Sequence, residues 1–88
     1  MNLDLDALLY HYFGTTDLET LDEAAIELGV ERLGTAFWTE HEPGRRFALW
    51  ALLHALGEAP DPSTAFKDAR ERSAAEAYAR AAGLVERP

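Results

Sequence analysis

Chemistry in this 88-residue chain would have to rest on three histidines, seven arginines, one lysine and sixteen carboxylates, because it contains no cysteine. His11, His41 and His54, with nearby Glu side chains, are the residue types of a metal or acid–base site. Their spacing gives such a site no support. The His-Glu-x-x-His pairing that sets two imidazoles on one helical face is absent, and His41 falls in a predicted loop. His54 shares a face with Phe47 and Trp50 on an apolar segment and reads as a hydrogen-bonded core residue. Nucleophiles fare no better. Ser63 follows Pro62 in a capping position, Ser73 lies among helix-packing alanines, and no thiolate is available. Neither common type of Gly-rich phosphate loop is present. The expectation is a noncatalytic chain with no cofactor and no metal.

The charged residues that stand out are Arg45 and Arg46, at the presumed start of a helix. There the macrodipole disfavours cations by roughly 0.3 to 1 kcal/mol each. Something anionic should offset this. Glu40, Glu42 or an acidic helix of the same chain would suffice, and a bound phosphate or carboxylate, approached through Gly44, is the alternative. Arg45, Arg46 and Arg32 are therefore the candidate contacts for an anion or a partner. A second candidate surface is apolar: Leu3, Ala7 and Tyr10 form a stripe opposite the one expected to face the core. Ile26, set among Glu19, Asp22, Glu23 and Glu27, would extend it.

The elements that must position these residues are helices, since apolar residues recur at three and four and no stretch alternates as a strand would. Leu3 to Phe13 is a first helix with Leu5, Leu8, Leu9 and Tyr12 on its core stripe, ended by Gly14. Thr16 with Glu19 forms a capping box for a second helix, along which Leu18, Leu21, Ala25 and Leu28 face the core and which Gly29 closes. Val30 to Thr39 is a short third helix, with Val30, Leu33 and Phe37 or Trp38 on one face. Pro43 opens a fourth that runs to Leu56 before Gly57. Leu49, Leu52, Leu53 and Leu56 line one side of this helix, and Phe47, Trp50, Ala51 and His54 another, so it is the buried centre. After the loop Glu58-Ala-Pro-Asp-Pro, Asp61 and Pro62 start either one bent helix to residue 82 or a short turn followed by a helix from about 69, ending at Gly83. Its stripe drifts from Phe66, Ala69 and Ser73 toward Ala74, Ala77, Tyr78 and Ala81.

Glu23-Ala24-Ala25-Ile26-Glu27-Leu28-Gly29-Val30 resembles the first helix and turn of a helix-turn-helix DNA reader of the excisionase or MerR type. The resemblance spans about 20 residues, and it implies a DNA-binding regulator using residues 18–40. The pattern departs at Thr35, where the second helix should carry an apolar residue, and at Gly34 inside the would-be recognition helix. That helix also offers one arginine, flanked by Glu31 and Glu40, against a phosphate backbone that needs several cations.

Net charge is -8 and unevenly placed: residues 1–42 hold ten acids against Arg32 alone, and residues 43–88 hold six acids against seven bases. An acidic surface disfavours nucleic acid and anionic lipid and favours a basic partner. It also leaves open an acidic decoy that imitates a nucleic-acid backbone. The start lacks a basic signal region, and the longest apolar run, 47–56, is too short to span a bilayer, so neither export nor membrane insertion is expected. Absence of cysteine suits a reducing cytoplasm, and the excess of Ala and Arg over Lys suits a bacterial source. The reading is one all-α domain over 1–88, a compact orthogonal bundle of about five helices around a central apolar helix. Its expected role is a small interaction or regulatory module with a protein partner or a second copy of itself.

Overall fold

The computed structural model describes residues 5–86, with side-chain environments given for 5–82. The described residues form five helices and no strand. They are α1 (Leu5–Phe13), α2 (Glu23–Thr39), α3 (Pro43–Ala55), α4 (Pro62–Ala65) and α5 (Ala69–Glu86), with a single 3-10 turn at Leu18–Thr20.

Local chemistry explains most boundaries. Gly14 and Gly57 both adopt positive φ, at 76° and 77°, and so end α1 and α3 at a conformation that costs glycine nothing. Glu42 caps α3, accepting from the Gly44 and Arg45 backbone N–H groups, and Pro43 fills the first turn. Asp61 caps α4 by accepting from the Ser63 N–H at 2.9 Å. Asp68 then accepts from the Arg70 and Glu71 N–H groups and opens α5. Residues 62–86 are thus a short turn of helix followed by a long helix, and α5 continues through Gly83 to Glu86 rather than stopping there.

The second and third expected helices are one. Thr16 caps nothing. Asp17 instead caps the 3-10 turn, and Asp22 caps α2 through the Ala25 N–H at 2.8 Å. From there α2 runs unbroken through Gly29 to Thr39, so residues 18–40 do not form a helix-turn-helix. Gly29 is buried because α1 crosses it. A Cβ at this position would overlap Phe13 Cε1 and Cδ1 and stand 2.9 Å from Cζ. Glycine here is a crossing point, and with no turn to make its φ stays helical.

One continuous helix also fixes one continuous stripe. Gly29, Leu33 and Phe37 are buried and Ile26 and Val30 are half-buried, while Leu28, one residue or about 100° from Gly29, is left 48% exposed. Leu28 was expected inside and Ile26 outside; the structure reverses the pair.

The core gathers on α3, where the five successive residues Leu49 to Leu53 are all buried, so this helix is enclosed all round at its middle. It packs against α1, α2 and α5, and α4 packs on α5. Leu5, Leu8, Leu9 and Tyr12 of α1 lie against the core as their spacing predicts. Trp50, 1% exposed, satisfies its indole by donating to the Pro60 carbonyl at 2.9 Å. From α5 the buried residue is Ala75, with Tyr78 and Ala79 packed beside it, and Ala74, Ala77 and Ala81 face outward. In an alanine-rich helix the methyls are too alike for the sequence to single out the face that Tyr78 turns inward.

Candidate functional site

The α2–α3 corner is built from three consecutive polar residues and the two arginines that follow. Glu40 accepts from the His41 and Glu42 N–H groups, both at 3.2 Å. Its other oxygen lies 3.7 Å from Arg45 Nη1. The Glu42 carboxylate occupies the positive end of α3, the place an external anion would take. The charge at this helix start is therefore offset from within the chain, and the Gly44, Arg45 and Arg46 backbone N–H groups are all taken by Glu42. Arg45 stays exposed, and its pair with Glu40 is of the surface kind that contributes little.

Arg46 does something different. Its guanidinium lies 4.4 Å from the Phe37 ring centroid and 5.4 Å from that of Phe66, and Nη2 donates to the Ala65 carbonyl at 3.0 Å. The planar, weakly hydrated head bridges two buried rings and satisfies the end of α4, a job Lys cannot do as well. Arg46 thus ties three elements together and is committed to the fold. Arg32 is exposed on α2.

The residues expected to form an apolar surface differ in exposure. Tyr10 is 66% exposed and Ala7 is exposed beside it on α1. Leu3 lies outside the described residues. Ile26 is half-buried on α2, and Leu28 of the same helix is 48% exposed. The histidines stay apart. His11 and His41 are exposed, and His54 is half-buried with its ring 5.3 Å from Trp50 and 6.1 Å from Tyr78. His54 is held by these rings instead of by the hydrogen bond expected of a core histidine. No three metal-ligating side chains cluster among the described residues.

The sequence did not reveal a concavity that the structure forms at this corner. A cleft of about 510 Å³ opens between the α2–α3 corner and the α4–α5 joint. Trp38 and Glu40 come from the end of α2, Pro43 and Arg46 from the start of α3, and Thr64, Lys67, Asp68 and Glu71 from the other side. Trp38 is 54% exposed, and its ring is fixed edge-on to the fully buried Phe37 at a centroid distance of 4.9 Å. The volume falls within the range of small-ligand and peptide-anchor sites. A second, shallower groove of about 350 Å³ adjoins it, sharing Pro43 and Glu71 and continuing over Phe47 and Ala74. Its wall is almost wholly apolar.

A signal for Trp38 existed in the sequence. Adjacent residues on a helix point about 100° apart, so Phe37 and Trp38 cannot both face the core. The run Ile26, Gly29, Leu33, Phe37 assigns the inner place to Phe37. Lys67, Asp68 and Glu71 carried no such signal, since their meeting with Trp38 depends on how α5 packs.

No known protein family matches the chain, nor does any curated protein or solved structure. Within the described residues no helix is long and apolar enough to cross a membrane.

Proposed function

We propose that this chain is a noncatalytic interaction module that engages a protein partner through the cleft at Trp38. One observation carries the reading: a tryptophan more than half exposed at a concave surface, with its ring already held by Phe37. Tryptophan and arginine dominate binding energy at protein interfaces, above all where the ring sits beside a pocket and loses little freedom on contact. The polar groups nearby support recognition over reaction. Asp68 is committed to capping α5 and Arg46 to the Phe37 and Phe66 rings. Absence of cysteine and the Arg-over-Lys bias support a place in a reducing bacterial cytoplasm.

The experiment is affinity capture from source cells with the wild-type chain, with Trp38→Ala and with Glu27→Gln, a charge change on the exposed side of α2. The expected result is a partner retained by wild type and Glu27→Gln and lost by Trp38→Ala. Equal capture by all three would remove the proposal.

A second reading has its own observation. Tyr10 and Leu28 are both exposed, and they belong to the two helices that cross at Phe13 and Gly29, which favours self-association over that crossing. It predicts a sedimenting dimer that Tyr10→Glu returns to monomer. A strictly monomeric wild-type chain at high concentration would rule it out.

A further inference from the structure

We infer that the Trp38 cleft and the apolar groove beside it together take one short extended peptide segment of a partner protein, uncharged overall and bearing one large apolar side chain. The inference rests on the cleft being a contact surface and specifies what fills it. Charge balance comes first. The two concavities are walled by three carboxylates, Glu40, Asp68 and Glu71, and three cations, Arg46, Lys67 and Arg70. Despite the overall charge of -8, this face is locally neutral and offers no net attraction to a basic or an acidic segment.

The hydrogen-bonding groups come second. Among the described residues, Trp38 Nε1, Lys67 Nζ and the half-buried Glu71 carboxylate have no hydrogen-bond or ion-pair partner. The cleft thus presents unused donors and an unused acceptor within one site. An extended main chain carries open C=O and N–H groups that answer both, whereas a helix has spent its own internally. Beyond Glu71 the groove over Phe47 and Ala74 has almost no polar wall, so the side chain entering it is apolar. Burying a Leu or Phe there is worth a preference of about tenfold or more over a small polar residue.

The test uses capped hexapeptides of Gly and Ser carrying a single Leu or Phe, the same set without it, and matched sets flanked by Arg or by Glu. Binding is read from the emission of the exposed Trp38. The result expected is at least about a tenfold preference for the Leu or Phe peptides, with affinity nearly independent of salt. Ala74→Glu, a change at an exposed position, should abolish that preference while circular dichroism stays unchanged. Preference for the Arg or Glu sets, equal binding with and without the apolar residue, no binding by any set, or a dimer that buries Trp38 would each overturn the inference. If partner capture still depends on Trp38 in those cases, only the identity of the occupant falls. If capture is also indifferent to Trp38→Ala, the contact surface falls with it.

Discussion

Gly29→Ala should destabilise the protein, although the same change in an open helix stabilises it. In a helix interior Ala is better than Gly by about 0.8 to 1 kcal/mol. Against that, the new methyl would overlap Phe13 Cε1 and Cδ1, and Phe13 is itself only 9% exposed, so its ring has little room to withdraw. Overpacking of this kind costs about 1 to 3 kcal/mol, leaving a net loss of up to about 2 kcal/mol. For a chain of this size that lowers Tm by about 4 to 8 °C per kcal/mol. Gly34 lies on the same helix with nothing within 4 Å of its would-be Cβ, so Gly34→Ala is the control and should stabilise by about 0.5 to 1 kcal/mol. The decisive arm is a double-mutant cycle. In a Phe13→Ala background the obstruction is gone, and Gly29→Ala should change sign and become stabilising, a coupling of about 2 kcal/mol by urea unfolding. If Gly29→Ala behaves like Gly34→Ala, or its effect is the same in both backgrounds, the α1–α2 crossing at Phe13 is wrong.

Three further outcomes follow from specific contacts. Arg46→Ala should cost about 2 kcal/mol, because it removes a charged hydrogen bond to Ala65 and two ring contacts, and Arg46→Lys should restore only part of it; thermal melts of the two variants check this. Trp50→Phe should lose about 1 to 3 kcal/mol by urea unfolding, since it empties space at the centre of the core and leaves the Pro60 carbonyl without its indole donor. The hydroxyl and backbone N–H of Ser63 hold the exposed Asp61 carboxyl below the usual aspartate range. With the folded pKa depressed, its stabilisation is fully present above the unfolded pKa and is lost as pH falls through the folded one. The stability advantage of wild type over Asp61→Asn should therefore shrink on acidification, and a gap that widens toward low pH would contradict the assignment.

What could be read from the sequence was set by short-range chemistry. Glycine at the ends of α1 and α3, Pro43 and Pro62 in first turns, and Asp61 as a cap act within four residues, and each does what its type predicts. The enclosed α3 was legible because apolar residues on all sides leave no alternative to burial. Gly29 was misread because a glycine that ends a helix and one that admits a crossing ring look alike in sequence. Only the position of Phe13, sixteen residues away, separates them. That one misreading created the false helix boundary, the helix-turn-helix resemblance and the exchange of Leu28 with Ile26. At the site, internal compensation of Arg45 by Glu40 was foreseeable from nearness in sequence. The role of Arg46 was not, because Phe66 and Ala65 reach it from the far side of the core.

The proposal that Trp38 is the contact point has a direct test in the chain's two indoles. In a 1H–15N correlation spectrum Trp38 and Trp50 give one indole N–H signal each. On titration with the captured partner, the account predicts that the Trp38 signal shifts and becomes protected from solvent exchange while that of Trp50, bonded to Pro60, stays in place. Saturable binding that leaves the Trp38 signal where it was would contradict it.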